Sequence, residues 1–162
     1  MMTMTKTVAA IAVAAVGGLA VPQALAGEKG HFRGLAVLVS TNFQMIKATE
    51  GHPGGAVMMG EMDGLVFNDA KGALLDKAHY QVFWKGEGSG TGDCLKTFTV
   101  AGGDKLFASC AGKASATGWE GTVKLHGGTG RFAGAKGSGT YKLTNVSDKV
   151  MWDVLEWDYE LP

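Results

Sequence analysis

The sequence lacks an excess of charge of either sign, long apolar stretches beyond its N-terminus, and sustained helical periodicity. Its 15 basic and 15 acidic residues balance, so neither a nucleic-acid-binding face nor a charged interaction tail is indicated. After residue 26 no apolar stretch is long enough to cross a bilayer. Because no long segment after residue 26 keeps a 3.6-residue period, a helical fold is disfavoured.

The first 26 residues have the pattern of a secretory signal peptide. Lys6 precedes the apolar and small-residue run "TVAAIAVAAVGGLAV", and "ALA" at residues 24–26 offers a small-x-small cleavage site. The run is short for a transmembrane helix and no basic flank follows it, although an uncleaved anchor is the alternative. We therefore predict a secreted or periplasmic protein whose mature chain, residues 27–162, is a single domain that is not held in the membrane.

Only two cysteines are present, and both fall in a predicted hairpin. The strand-like segments "CLKTFTV" and "DKLFASC" flank "AGG" at residues 101–103, a three-residue connection that suits a bulged turn. Pairing Val100 with Asp104 brings Cys94 opposite Cys110, on the face that carries Phe98. An oxidising compartment favours a bridged pair. We predict a structural disulfide between the two cysteines rather than a catalytic thiol.

The remaining chain consists of short segments of period two, separated by glycine-rich corners. In several segments, such as "WEGTVKLH" and "VMWDVLEWDYEL", one face is apolar and aromatic while the other is mostly polar, as in an antiparallel sheet around a core. About eight or nine such segments indicate an all-β sandwich or barrel. Glycines inside the segments, such as Gly60 and Gly121, favour the sharp coiling of a closed barrel.

The segment "HGGTGRFAGAKGSGTYKL", residues 126–143, is unusually rich in glycine. A phosphate-binding loop would require a helix after the glycines, but a strand pattern follows. A flexible linker is disfavoured because strand patterns lie on both sides. We predict a tight corner in which Gly127, Gly128 and Gly130 take positive φ angles and Phe132 packs into the core.

The same region, "KLHGGTGRFAGAKGSGTYKL", resembles the signature of the allene oxide cyclase and dirigent barrels. The upstream segments "GEMDGLVFND" and "DKLFASCAG" resemble strands of that family, so the likeness covers residues 57–143. The resemblance implies a calycin-like, eight-stranded antiparallel barrel with an apolar cavity, assembled as a homo-oligomer (a trimer or a dimer). It transfers no catalytic residues, because "HFRGLAVLVSTNFQ" lacks the acidic and asparagine motif of the cyclases. The predicted export fits dirigent proteins better than plastid cyclases.

Three carboxylates are candidate catalytic groups. Asp153 shares its predicted inward phase with Met151 and Leu155, where a carboxylate needs a partner; an exposed strand end is the alternative. Glu61 and Asp63 share one strand face and could perform acid–base chemistry, or they could form an ordinary solvated face.

Five aromatic residues fall on the inward phase of four separate segments, and they predict a binding site for a hydrophobic small molecule. They are Tyr80, Trp84, Trp119, Tyr141 and Trp157. No cofactor or metal site is predicted, because the four histidines have no ligand spacing and the methionines near His52 are irregularly spaced.

Three functions from different classes remain. The barrel could bind a hydrophobic ligand, act as a cofactor-free cyclase, isomerase or dirigent-type enzyme, or serve as a structural barrel with a filled interior. A cavity that contains a buried charged group would favour the enzyme, a purely apolar cavity would favour binding, and a filled interior would favour the structural role.

Overall fold

A computed structural model describes residues 27–48, 55–69 and 74–162. The predicted signal peptide and His52 lie outside the described residues. Within these ranges no helix is long and apolar enough to cross a membrane. Eight strands account for most of the described chain: β1 (Lys29–Ile46), β2 (Val57–Asn68), β3 (His79–Glu87), β4 (Thr91–Thr99), β5 (Lys105–Ala114), β6 (Gly118–Gly128), β7 (Lys136–Asn145) and β8 (Val150–Glu160).

The strands form a closed antiparallel barrel in chain order, and β8 pairs with β1 to complete it. This confirms the predicted all-β, eight-stranded barrel. Two segments that look separate in the sequence, "HFRGLAVLVS" and "NFQMIKA", belong to the single strand β1. A break in register between Ser40 and Asn42 interrupts their alternation, which is the expected effect of a β-bulge.

The predicted cysteine hairpin is confirmed. Cys94 pairs with Cys110 across β4 and β5, and a disulfide joins them with their Cα atoms 4.9 Å apart. The Val100 amide donates to the Asp104 carbonyl at 3.0 Å. The intervening turn has two glycines with positive φ, a conformation that costs glycine little because it has no Cβ.

The glycine segment forms the predicted corner, and Phe132 is fully buried at the end of a short 3₁₀ turn (Gly130–Phe132). Gly127 and Gly130 have positive φ angles, as predicted. The prediction for Gly128 is wrong, because its φ is not positive. A Cβ at Gly128 would instead collide with the Lys105 carbonyl oxygen, so close approach of the neighbouring strand requires glycine there.

Aromatic rings fill the end of the barrel that carries this corner. Phe32 stacks on Trp157 with ring centroids 4.4 Å apart, and Trp157 meets Phe98 at 5.6 Å. Phe98 in turn stacks on Tyr80 at 4.5 Å. All four residues are almost completely buried. This aromatic stack fills the interior toward one end of the barrel.

Candidate ligand-binding site

A cavity of about 490 Å³ occupies the end of the barrel opposite the aromatic stack. Its volume lies within the range of small-molecule sites. Its apolar wall comes from six strands and includes Leu38, Phe43, Met62, Val82, Trp84, Trp119, Leu143 and Met151. Lys96, Tyr141 and Asp153 also line it, and they supply its deepest polar groups.

Two tryptophans provide most of the aromatic wall. Trp84 projects from β3, and the ring of Phe43 stacks against it with centroids 6.0 Å apart. Glycine makes room for the indole: a Cβ at Gly60 would lie only 2.8 Å from the Trp84 Nε1 atom. Trp119 lies on β6 close to Gly92 of β4. Gly60, one of the glycines noted in the sequence, and Gly92 therefore make space for large rings around the cavity.

A buried ion pair spans the interior below these rings. Lys96 Nζ donates to Asp153 Oδ2 at 2.8 Å, and the two side chains are 2% and 1% exposed. The hydroxyl of Tyr80 donates to the same carboxylate oxygen at 2.8 Å, while Lys96 Nζ lies 2.5 Å from that hydroxyl. Buried charges of this kind persist only when they are paired and hydrogen-bonded.

Strand alternation explains why these charges point inward. Lys96 lies between Cys94 and Phe98 on β4, and both neighbours in phase are buried. Asp153 occupies the equivalent place between Met151 and Leu155 on β8. Because β4 and β8 are not adjacent in the barrel, the ion pair links opposite walls through the interior.

The environment shifts the proton affinities of the groups around Asp153. Burial raises the pKa of the Tyr80 hydroxyl well above its usual value, and the charge of Asp153 adds to this effect. Burial lowers the pKa of Lys96, while Asp153 opposes the change. Tyr141, whose ring faces Lys96 Nζ at 4.4 Å, has its pKa raised to about 12 by burial and then by Asp153.

The carboxylate retains an unused acceptor. Among the described residues, Asp153 Oδ1 is buried and has no hydrogen-bond partner. An acceptor in this state costs free energy until a donor reaches it. Since Asp153 lines the cavity, a molecule in the cavity with a hydroxyl group could supply that donor.

This chain is similar to known proteins in its structure but not detectably in its sequence. No family model matches the chain, and no curated protein is significantly similar to it in sequence. A solved pterocarpan synthase dirigent protein superposes with a TM-score of 0.53, over 84% of this chain and 90% of that protein, at 16% identity. The chain has a dirigent-type barrel fold. The resemblance carried by the glycine corner is thus confirmed at the level of the fold.

Within this dirigent-type barrel, the five predicted ligand-binding aromatics occupy different depths. Trp84, Trp119 and Tyr141 line the cavity. Tyr80 holds the buried ion pair from below, and Trp157 belongs to the aromatic stack at the filled end. That these residues bind a ligand remains a prediction.

The three candidate carboxylates separate into two groups. Asp153 lies inside the barrel in its predicted phase. Asp63 lies on the outer surface, where it bonds with His79 at 2.5 Å, and Glu61 is exposed beside it. Sequence reasoning missed Lys96, although its alternation with Cys94 and Phe98 was a usable indication that it points inward.

Proposed function

We propose that this dirigent-type barrel binds a small, largely apolar molecule in the cavity between Trp84 and Trp119. The observation that carries the proposal is a cavity of about 490 Å³ whose aromatic walls lie above a buried polar cluster, formed by Tyr80, Lys96 and Asp153. Ligand sites commonly combine a mostly apolar lining with a few fixed polar groups. A purely structural role would be better served by side chains filling both ends of the barrel.

The charges of the cluster indicate the class of ligand. Lys96 is already matched by Asp153, so a carboxylate ligand would bring an unmatched negative charge into a buried site. The free acceptor Asp153 Oδ1 instead favours a donor. We therefore infer a neutral ligand that carries a hydroxyl group on an apolar or aromatic skeleton.

Calorimetric titration with a matched pair of compounds tests this proposal. Cinnamyl alcohol and cinnamate share a skeleton but differ in the group offered to the cluster. We expect the alcohol to bind at least about tenfold more tightly at neutral pH, a difference of about 1.4 kcal/mol. Equal or tighter binding of cinnamate would contradict the ligand class. Absence of binding by both compounds, and by a panel of phenols and fatty acids, would contradict the site.

A second candidate function is cofactor-free catalysis on the bound molecule, which the buried charged pair in the cavity favours and which itself requires ligand binding. The observation that favours it is the contact of a hydroxyl, an ammonium and a carboxylate within one buried cluster (Tyr80, Lys96 and Asp153), since proton transfer needs a donor and an acceptor in fixed positions. The structural neighbour is itself named as a synthase. Asp153 would act as the base and Tyr80 would orient it.

Catalysis is tested on compounds that bind. Each is incubated with the wild-type protein and with Asp153→Asn, and the products are separated by chiral chromatography. We expect a changed product whose rate of formation falls by about 10²-fold or more in Asp153→Asn, with folding checked by circular dichroism. Recovery of every bound compound unchanged from the wild-type protein would rule this function out.

We propose that the protein works outside the cytosol, in a secreted or periplasmic location. The disulfide between Cys94 and Cys110 is compatible with an oxidising compartment, and residues 1–26 have the pattern of a cleaved leader. N-terminal sequencing of protein recovered from its source is expected to begin near Gly27. A mature protein that retains Met1 and extracts with membranes would contradict export.

A further inference from the structure

We propose that Lys96 is a covalent site for carbonyl compounds, at which the lysine amine forms an imine with an apolar aldehyde or ketone held in the cavity. This inference rests on the proposed function, because the carbonyl compound must first enter the same cavity. It goes beyond that function by assigning a bond-forming group and a second class of ligand.

The position of Lys96 distinguishes it from the other lysines. It is the only buried lysine among the described residues, and it lines the cavity. Lys29, Lys85 and Lys113 are each about half exposed or more. Lys85 and Lys149 also line the cavity, but both are exposed. An aldehyde held by the aromatic wall would therefore meet Lys96 as the one buried amine, at high effective concentration and shielded from water.

Burial makes the neutral amine that imine formation requires easier to reach at Lys96, although Asp153 opposes this effect. Lysines become nucleophilic when an apolar pocket removes water from the ammonium group, and burial here lowers the pKa of Lys96. Asp153 Oδ2 lies 2.8 Å from Nζ, so it is in place to accept the proton. The Tyr80 hydroxyl contacts both groups and fixes their relative position.

The reaction balances without an oxidant or a reductant. The Lys96 ammonium passes one proton to Asp153, and the amine nitrogen then bonds to the carbonyl carbon. One proton moves from that nitrogen to the carbonyl oxygen, which becomes a hydroxyl. Asp153 returns its proton to that hydroxyl, which leaves as water as the carbon–nitrogen double bond forms. The product is a protonated imine whose positive charge takes the place of the ammonium beside Asp153, so the buried ion pair is retained.

Borohydride trapping tests the inference on the full-length mature protein. The protein is incubated with about one molar equivalent of cinnamaldehyde per chain and reduced with cyanoborohydride. The product is analysed by intact mass spectrometry and by mapping the modified residue in peptide fragments. We expect one reduced cinnamyl group per chain, located on Lys96. Lys96→Arg retains a cation but forms no imine, and we expect it to lose this adduct. Lys113→Arg, at an exposed residue outside the cavity lining, is the matched control and should keep it.

Binding of cinnamyl alcohol, which forms no imine, is measured on the same samples. If the alcohol binds but the aldehyde gives no adduct on Lys96, the imine proposal is overturned and the proposed function stands. If labelling spreads over exposed lysines without preference for Lys96, the imine proposal is also overturned. If neither compound binds and no adduct forms, both fail. The modified residue is mapped in the wild-type protein, so the experiment still locates the adduct even if Lys96→Arg fails to fold.

Discussion

Lys96 and Asp153 lie on opposite walls of the barrel and meet in its interior, with Nζ 2.8 Å from Oδ2 and almost no exposure of either side chain. A pair of this kind need not stabilise the fold relative to apolar residues, since desolvation offsets the attraction. Among the described residues, these two are the only charged side chains buried in an otherwise apolar core, and both line the cavity.

Breaking the pair should cost far more than replacing it. We expect Lys96→Met to reduce the free energy of unfolding by about 3–5 kcal/mol, because it leaves a buried carboxylate without its cation. The double substitution Lys96→Met with Asp153→Leu should recover most of that loss. Urea unfolding measures both. Additive losses in the double variant would indicate that the two residues are not coupled as described.

The three tyrosine hydroxyls should lose their protons at a higher pH than tyrosine in an unfolded chain. The chain has three tyrosines, and burial raises the pKa of Tyr80, Tyr141 and Tyr159, in the case of Tyr141 to about 12. A raised folded-state pKa contributes stability that is complete below the unfolded value near 10 and is lost as pH rises through the folded value. We expect the free energy of unfolding to fall from about pH 10 upward, and less steeply in Tyr141→Phe. Tyrosinate absorbance measures the titration; three groups ionising together near pH 10 in a folded protein would contradict this burial.

The glycine corner is held by the burial of Phe132. Because this ring is fully buried, Phe132→Ala should cost about 3 kcal/mol or more. Phe107, which is 38% exposed on the outer surface, is the matched control, and Phe107→Ala should change stability by only about 0.5 kcal/mol. Chemical denaturation of both variants measures the difference. A loss below about 1 kcal/mol in Phe132→Ala would mean that the corner does not depend on this contact.

The outer face of β8, β1 and β2 is expected to carry self-association into a dimer or trimer. Val37 on β1 pairs with Leu65 on β2 and with Trp152 on β8, and Trp152 is 49% exposed. A contiguous exposed apolar surface usually marks an interaction site. Sedimentation should give an oligomer for the wild-type protein and a smaller species for Trp152→Glu, with Phe83→Glu on another outer strand as the control. A wild-type monomer at micromolar concentration would rule this association out.

The alternation of residues was sufficient to predict the faces of the strands, and turn length was sufficient for the register of the cysteine hairpin. The partner of Asp153 could not be found in the same way. Alternation with Cys94 and Phe98 indicates that Lys96 points inward, but Lys96 lies far from Asp153 in sequence, so no local pattern pairs the two residues. Only the closure of the barrel brings the two strands opposite each other.

Depth along the barrel was the second property that local pattern could not predict. Trp84 and Trp157 both point inward, yet Trp84 lines the cavity while Trp157 belongs to the aromatic stack. The tilt and stagger of the strands decide this difference, and they depend on the pairing of all eight strands. The alternation of residues therefore predicted which side chains point into the barrel. It did not predict which of them line the cavity and which pack in the filled end.

Tryptophan fluorescence during titration with cinnamyl alcohol tests the central claim, that the cavity binds a ligand, most directly. Two tryptophans line the cavity, whereas Trp152 lies on the outer surface and is the matched control. We predict a saturable fluorescence change in the wild-type protein and in Trp152→Ala, and a much weaker change in folded Trp84→Ala. No saturable change in the wild-type protein, or a change lost in Trp152→Ala but kept in Trp84→Ala, would contradict the account.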